Sequence, residues 1–433
     1  MHNINRKIQP KRQIPDKIKI IKAESNVLPN GIPLLSINAG TEDICKIDLD
    51  FHSGSRYQIK PLESRATMAM LSEGTKSLTS HQIAEKLDYY GSFYEHSSDR
   101  DFGKISIFSL SKYLDQSLDI LEQIIKEPTF PEKELETFRI KGKQSLLVEL
   151  EKVTTLSRQE FFKGLFGATH PYGMSATPND FISLQDSDLF DFHRKHLNSS
   201  QCTIVLSGKI GKEEISLVGK HFGGTEWGNG ISMNSELPQI AAPKQQKYFS
   251  QKEDALQSAI RIGRHIVNRK HPDYCGLIIL NTILGGYFGS RLMKNIREDK
   301  GYTYGISSSI LSLKELCIFV IGTEVGAEYT LPALNEIYHE IDRLRNEPVS
   351  EEELDLVRNY LLGELLRSFD GPFAIADSIT SLYEYNDFDY SFFKKTIEVI
   401  KTITPNQIMN LANTYLRNND LIECVAGPIS NLI

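Results

Sequence analysis

The stretch ILEQIIKEPTFPEKELETFRIKGKQSLLVEL (120–150) returns, in pattern, as EIDRLRNEPVSEEELDLVRNYLLGELLRSFD (340–370). Each begins as the apolar end of a helix, breaks at Glu-Pro, restarts on acidic residues and runs on as a long amphipathic helix. Glu127-Pro128 matches Glu347-Pro348, and Leu135 matches Leu354. The same offset recurs on both sides. Downstream, QCTIVLSGKI (201–210) matches LIECVAGPI (421–429), with Gly208 opposite Gly427. Upstream, YYGSFYEH (89–96) matches DKGYTYGI (299–306), with Gly91 opposite Gly301 and Tyr94 opposite Tyr304. Matches in one order, spaced about 210–220 residues apart, mark a duplicated unit rather than chance likeness between helices.

Each half runs through the same elements. The first offers a strand at ICKIDLDFHSG, helical segments around 62–90, a strand at KISIFSLS, the Glu-Pro helix and a closing strand. The second offers AIRIGRHI, helical segments around 272–297, CIFVIGTEV, the Glu-Pro helix and its closing strand. Short strands mixed with long helices, without strict alternation, predict an α+β fold. Two homologous domains are expected, each an antiparallel sheet with helices packed on one side. The first half opens on a hairpin at VLPNGIPLLSIN, where Asn30-Gly31 supplies the positive φ of a tight turn. GGTEWGNGISMNSELPQIAAPKQQK (223–247), rich in Gly, Asn, Ser and Pro, reads as a linker. The domains are therefore set at 1–222 and 248–433.

Bulk properties exclude several classes. A chain of 433 residues, 40% hydrophobic and 24% charged, has room for two or three globular domains. A net charge of −7 argues against nucleic-acid binding. No apolar run approaches the ~18 residues of a membrane span. The N-terminus, MHNINRKIQPKRQIPDKIKIIK, is basic and lacks a secretory apolar stretch. A transit-peptide reading draws on the absence of acids before Asp16, but the segment is poor in Ser, and Pro10 and Pro15 break an amphipathic helix. A cytoplasmic location is expected. Five cysteines, an odd count without C-x-x-C, predict buried free thiols rather than disulfides or a thiolate metal site.

Four segments, in order, carry a resemblance. They are SGSRYQIKPLESRATMAMLSEGTKSLTSHQIAEKLDYYGSFYE (53–95), HPYG (170–173), LFDFHRKHLNSSQCTIVLSGKI (189–210) and LNTILGGYFGSRLMKNIREDKGYTYGISS (280–308). The series resembles the insulinase/pitrilysin-type zinc peptidases, in their small, separate-subunit branch, from about residue 25 to the end. Active members carry H-x-x-E-H shortly before a Gly-Thr, and a third ligand, a Glu, on a later helix. Zinc hydrolysis needs three protein ligands, a bound water and a base beside it.

Anchored on Gly74-Thr75, the first His position is Arg65, the Glu position is Met68 and the second His position is Ala69. None can ligate zinc or accept a proton from water, and Arg65 repels a cation. Glu149 matches the later Glu and stands alone. No H-x-x-E-H or H-E-x-x-H occurs among the eleven His. His193 and His196 share a helix face, but Arg194 and Lys195 lie between them.

The second half keeps what the resemblance implies for its own part. Arg297 precedes Tyr304 by seven residues in IREDKGYTYG. In the family this pair reaches the zinc site, where a phenol O–H and a guanidinium stabilise the developing oxyanion. Tyr302 is a neighbouring candidate with the wrong spacing. The glycine segment LGGYFGS (284–290) lacks the Gly-Lys-Ser/Thr ending of a phosphate loop. Gly285 and Gly286 are either substrate-contacting, as in a longer loop of related processing peptidases, or a turn where backbones pack closely.

The expectation is a non-catalytic subunit of a two-chain zinc peptidase. It would supply Arg297 and Tyr304 to a partner that holds zinc, its ligands and the base, with a peptide as substrate. The alternative is a scaffold or peptide-binding relative with no catalytic duty. This chain is expected to carry no cofactor of its own.

Overall fold

The closing strand of each half ends on a glycine at positive φ, and the computed structural model shows both copies of the duplicated unit. It describes residues 18–225, 227, 239–240, 243 and 245–428, so the basic N-terminal segment and most of the linker lie outside the described residues. The first half contributes β1 (Glu24–Val27), β2 (Pro33–Asn38), β3 (Ile44–Phe51), β4 (Phe93–Ser98), β5 (Gly103–Leu110) and β6 (Cys202–Gly208). They form one sheet in the order β1-β2-β6-β3-β5-β4. The second half contributes β7 (Lys247–Gln251), β8 (Gln257–Ile266), β9 (Ile306–Ser312), β10 (Cys317–Gly326) and β11 (Ile422–Gly427), in the order β7-β11-β8-β10-β9. Pairing is antiparallel except for β2 with β6 and β7 with β11, which are parallel. The closing strand of each half thus inserts beside the hairpin or linker strand in the same direction.

The repeat persists in the backbone. Gly91 and Gly301 both end a helical segment at positive φ, +63° and +67°. Gly208 and Gly427 both end the closing strand at φ +133° and +153°. A Cβ on Gly208 would stand 2.3 Å from the Ile44 carbonyl oxygen, so only glycine fits there. Asn30-Gly31 makes the predicted turn, with Gly31 at φ +91°.

Each sheet buries one face under its own helices. In the first half, Cys45, Ile47, Leu49 and Phe51 of β3 meet Leu118, Leu121 and Ile125 of the helix Leu114–Lys126. In the second, Ile260 and Ile262 of β8 meet Ile337 and Ile341 of the helix Thr330–Asn346. At ~25 cal/mol per Å² of apolar area, these cores supply the main driving force for folding.

The other face of each sheet is covered by a helix from the opposite half. Val153–Phe166, which follows the first Glu-Pro helix, lays Phe161, Phe162, Leu165 and Phe166 on Ile318, Val320, Ile422 and Cys424 of the second sheet. Pro372–Tyr385, its counterpart, lays Ile375, Ala376 and Ile379 on Leu35, Ile37 and Val205 of the first. The halves therefore exchange helices, and the expectation of helices on one side of each sheet holds only within a half.

The exchange buries charge. Lys46, Asp48 and Asp50 alternate along β3 with its core residues and face the helix Pro372–Tyr385. Lys46 Nζ lies 3.0 Å from Asp48 and 2.9 Å from Asp377, and Lys104 Nζ lies 3.4 Å from each of these carboxylates. Both oxygens of Asp50 are buried without a hydrogen-bond partner, and burial pushes its carboxyl up to about 7. Burial likewise pushes Glu384, on the covering helix, up to about 9. A second junction joins two of the sequence landmarks. Asp101 accepts from Arg56 Nη1 at 3.0 Å, from the Tyr172 phenol, and from the backbone N–H of Lys314 in the other half at 2.9 Å.

Candidate functional site

The residues that match the family's metal positions lie on the short helix Glu63–Met70 and the long helix Glu132–Leu150. Arg65 is exposed, Ala69 half-buried and Met68 buried, with its sulfur against Gly103. Glu149 accepts from Lys152 Nζ at 2.6 Å and from the Thr155 hydroxyl at 3.1 Å. These two bonds, Lys152 first, hold its carboxyl below the usual carboxylate range. Among the described residues no group of three or more His, Cys, Asp or Glu side chains is arranged to hold a metal ion. His193 and His196 are structural in their surroundings. His193 Nε2 lies 2.7 Å from the Ile125 carbonyl oxygen, and His196 packs between the rings of Tyr57 and Phe192. Burial lowers the affinity of both for a proton, that of His196 to about 4. At pH 7 His196 is therefore a neutral imidazole.

The second half brings its pair together. Arg297 lies on the π-helical segment Met293–Asp299, and Gly301 turns the chain towards β9. The loop between is fixed by Thr303. Its hydroxyl donates to the Glu324 carbonyl at 2.6 Å and accepts from Gly305 N–H at 3.1 Å and from the Thr323 hydroxyl at 2.9 Å. Tyr302 stacks on Tyr329 at 4.8 Å, with 16° between the rings, and is spent on packing. Tyr304 instead stands 93% exposed. An exposed aromatic held by a rigid base costs hydrophobic free energy that nothing in this half recovers. The geometry thus separates two tyrosines that spacing alone had ranked.

The Arg297 guanidinium lies 5.6 Å from the Tyr304 ring centroid and 4.8 Å from that of Phe288. It forms no ion pair among the described residues, so two π faces are what hold it. Phe288 is itself 65% exposed. Sequence reasoning passed over Phe288, although an aromatic between glycines in GGYFGS was the visible signal. Gly285 and Gly286 form part of the π-helical turn Thr282–Gly286. Gly285 is buried, and a Cβ there would stand 2.6 Å from Ser308 N of β9. Its place is therefore one of close backbone packing beneath the Phe288–Arg297–Tyr304 cluster. Gly286 is half-buried against Asn281.

Among the described residues the chain thus has an exposed Arg–Tyr pair and no cluster of metal donors. Comparison with known proteins gives the same class. Residues 34–166 match the family profile "Insulinase (Peptidase family M16)", and residues 183–361 match "Peptidase M16 inactive domain". The chain belongs to the M16 family of insulinase-type peptidases. An uncharacterized zinc protease of Bacillus subtilis is 23% identical over 79% of this chain and 83% of its own length. A probable mitochondrial-processing peptidase subunit beta of Arabidopsis thaliana is 20% identical over 94% of this chain and 78% of its own. The crystal structure of a peptidase M16 inactive domain from Pseudomonas fluorescens superposes with a TM-score of 0.86 at 22% identity, over 94% of this chain and 98% of that one. That last likeness shows the fold. No described helix is long and apolar enough to cross a membrane.

Proposed function

We propose that this chain is the non-catalytic subunit of a two-chain zinc peptidase and that Arg297 and Tyr304 complete the partner's active site. The observation that carries the reading is the state of the pair. A phenol 93% exposed stands beside a guanidinium without a carboxylate, both anchored to β9 and its preceding helix. Groups so placed are free to meet a reacting atom supplied from outside the chain. The partner would hold zinc, three ligands and the general base, a set that the described residues of the first half do not assemble. The chemistry zinc supplies there is a water activated for attack on a peptide carbonyl. Tyr304 would donate a hydrogen bond to the resulting oxyanion, and Arg297 would stabilise its charge. A relative named as one subunit of a processing peptidase supports such a division of labour. An extended peptide would be held by main-chain hydrogen bonds along an edge strand, the place that β4 and β9 each take in their sheets.

Tyr304→Phe in the two-chain complex is the test. Losing one oxyanion donor slows turnover by ~10²–10³-fold, with assembly intact. Cleavage at the wild-type rate would rule out this role.

A further inference from the structure

Beside Tyr304 the second sheet is left partly bare. The crossover helix Val153–Phe166 packs on β7, β11, β8 and β10, while Ser307, Ser309 and Leu311 of β9 stay exposed. Where Arg261 of β8 faces β10, its neighbour is Gly322, and the next residue across, on β9, is Ser307. With no side chain at Gly322, a cavity of about 430 Å³ opens between helix and sheet. Thr154 and Ser157 of the helix, Arg261, Ser307, Tyr304 and Glu324 are among its lining residues. Arg261 Nη1 lies 3.5 Å from the place a Gly322 Cβ would take, so the guanidinium rests on the floor. Its Nε is buried without a hydrogen-bond partner, and it forms no ion pair among the described residues. Burial, and then the charge of Arg158 on the covering helix, lower its proton affinity. Glu324 is the one acid among the lining residues, and it is exposed at the rim without an ion pair to Arg261.

A half-buried guanidinium with an unused face, ringed by hydroxyls, is a receptor for a carboxylate. We infer that this cavity is a subsite for a carboxylate of a bound peptide, either an acidic side chain or a free C-terminus, lying next to Tyr304. The inference rests on the reading that this face meets peptide, and it adds a preference that reading does not contain.

The test uses the purified chain alone and three fluorescently labelled octapeptides, followed by anisotropy. One has a central Glu and an amidated C-terminus. One has Gln in its place and an amidated C-terminus. The third has Gln and a free C-terminal carboxylate. One of the two carboxylate peptides should bind roughly tenfold more tightly than the neutral one, as a charge-assisted hydrogen bond requires. Which of them does so identifies the source of the carboxylate. Arg261→Gln should abolish the difference, and its melting curve checks folding. Glu324→Gln, at an exposed position, should strengthen carboxylate binding two- to threefold, roughly the effect of removing one nearby like charge. Equal binding of all three peptides, no binding at all, or a preference that survives Arg261→Gln overturns the inference. A carboxylate preference with an unaffected Tyr304→Phe cleavage rate would sink the catalytic role and keep the subsite. The converse would do the reverse.

Discussion

Replacing Asp50 by Asn should make the protein more stable at pH 8, less markedly so at pH 5, and leave it almost unchanged below about pH 4. Asp50 is fully enclosed between β3 and the helix Pro372–Tyr385, and neither of its oxygens has a hydrogen-bond partner. Lys104 and Lys46, the cations nearest it, sit instead on Asp48 and Asp377. The charged groups facing Asp50 are Lys104, Asp48, Lys46 and Asp377, with Glu384 near on the covering helix. Burial raises the folded-state pKa to about 7, against about 3.9 for an unfolded Asp. The folded state therefore binds the proton more tightly, and stability falls as pH rises from about 4 through about 7. A gap of roughly three units at 1.36 kcal/mol each sets a ceiling of about 4 kcal/mol. Glu384 shifts in the same direction and shares the repulsion, so the two costs overlap rather than add. Asn keeps the shape and removes the charge, so the expected gain is about 2–4 kcal/mol at pH 8. Urea midpoints followed by circular dichroism at pH 5, 6, 7 and 8 would measure it. A variant with the wild-type pH profile, or one weaker at pH 8, would refute the reasoning.

Three further outcomes follow from the geometry. Phe161→Ala, which empties a fully buried site between the crossover helix and the second sheet, should cost about 3–5 kcal/mol, read from the denaturation midpoint. Because each half lends a helix to the other's sheet, fragments 1–222 and 248–433 should each lack a sharp thermal transition when expressed alone and regain one when co-expressed. Gly285→Ala forces a Cβ to within 2.6 Å of Ser308 N and should lower stability by about 1–3 kcal/mol, whereas Tyr304→Phe, at an exposed ring, should stay within about 0.5 kcal/mol.

Much of the fold was legible because it is local. The paired glycines, the Glu-Pro breaks and the alternating strands each state a backbone conformation that the chain then adopts. The helix exchange was not legible. The pattern of ICKIDLDF, apolar and charged by turns, reads as a strand with one solvated face, yet nearly all of β3 is buried. A foreign helix supplies that burial, and its own amphipathic pattern does not say which sheet it will cover. The same limit applies at the site. Spacing paired Arg297 with Tyr304, and the structure places them together. Which tyrosine is spent on packing, and that Phe288 flanks the guanidinium, depend on contacts between distant segments. Arg261 was invisible for the same reason: its surroundings come from Gly322 and from a helix of the other half.

The most direct measurement is zinc content and peptide cleavage on the same samples: this chain alone, a family member retaining H-x-x-E-H alone, and the two co-purified as a complex. Zinc should follow the second chain, and a quenched fluorescent peptide should be cut efficiently only by the complex. One equivalent of zinc in this chain by itself, together with cleavage that a chelator abolishes, would contradict the assignment.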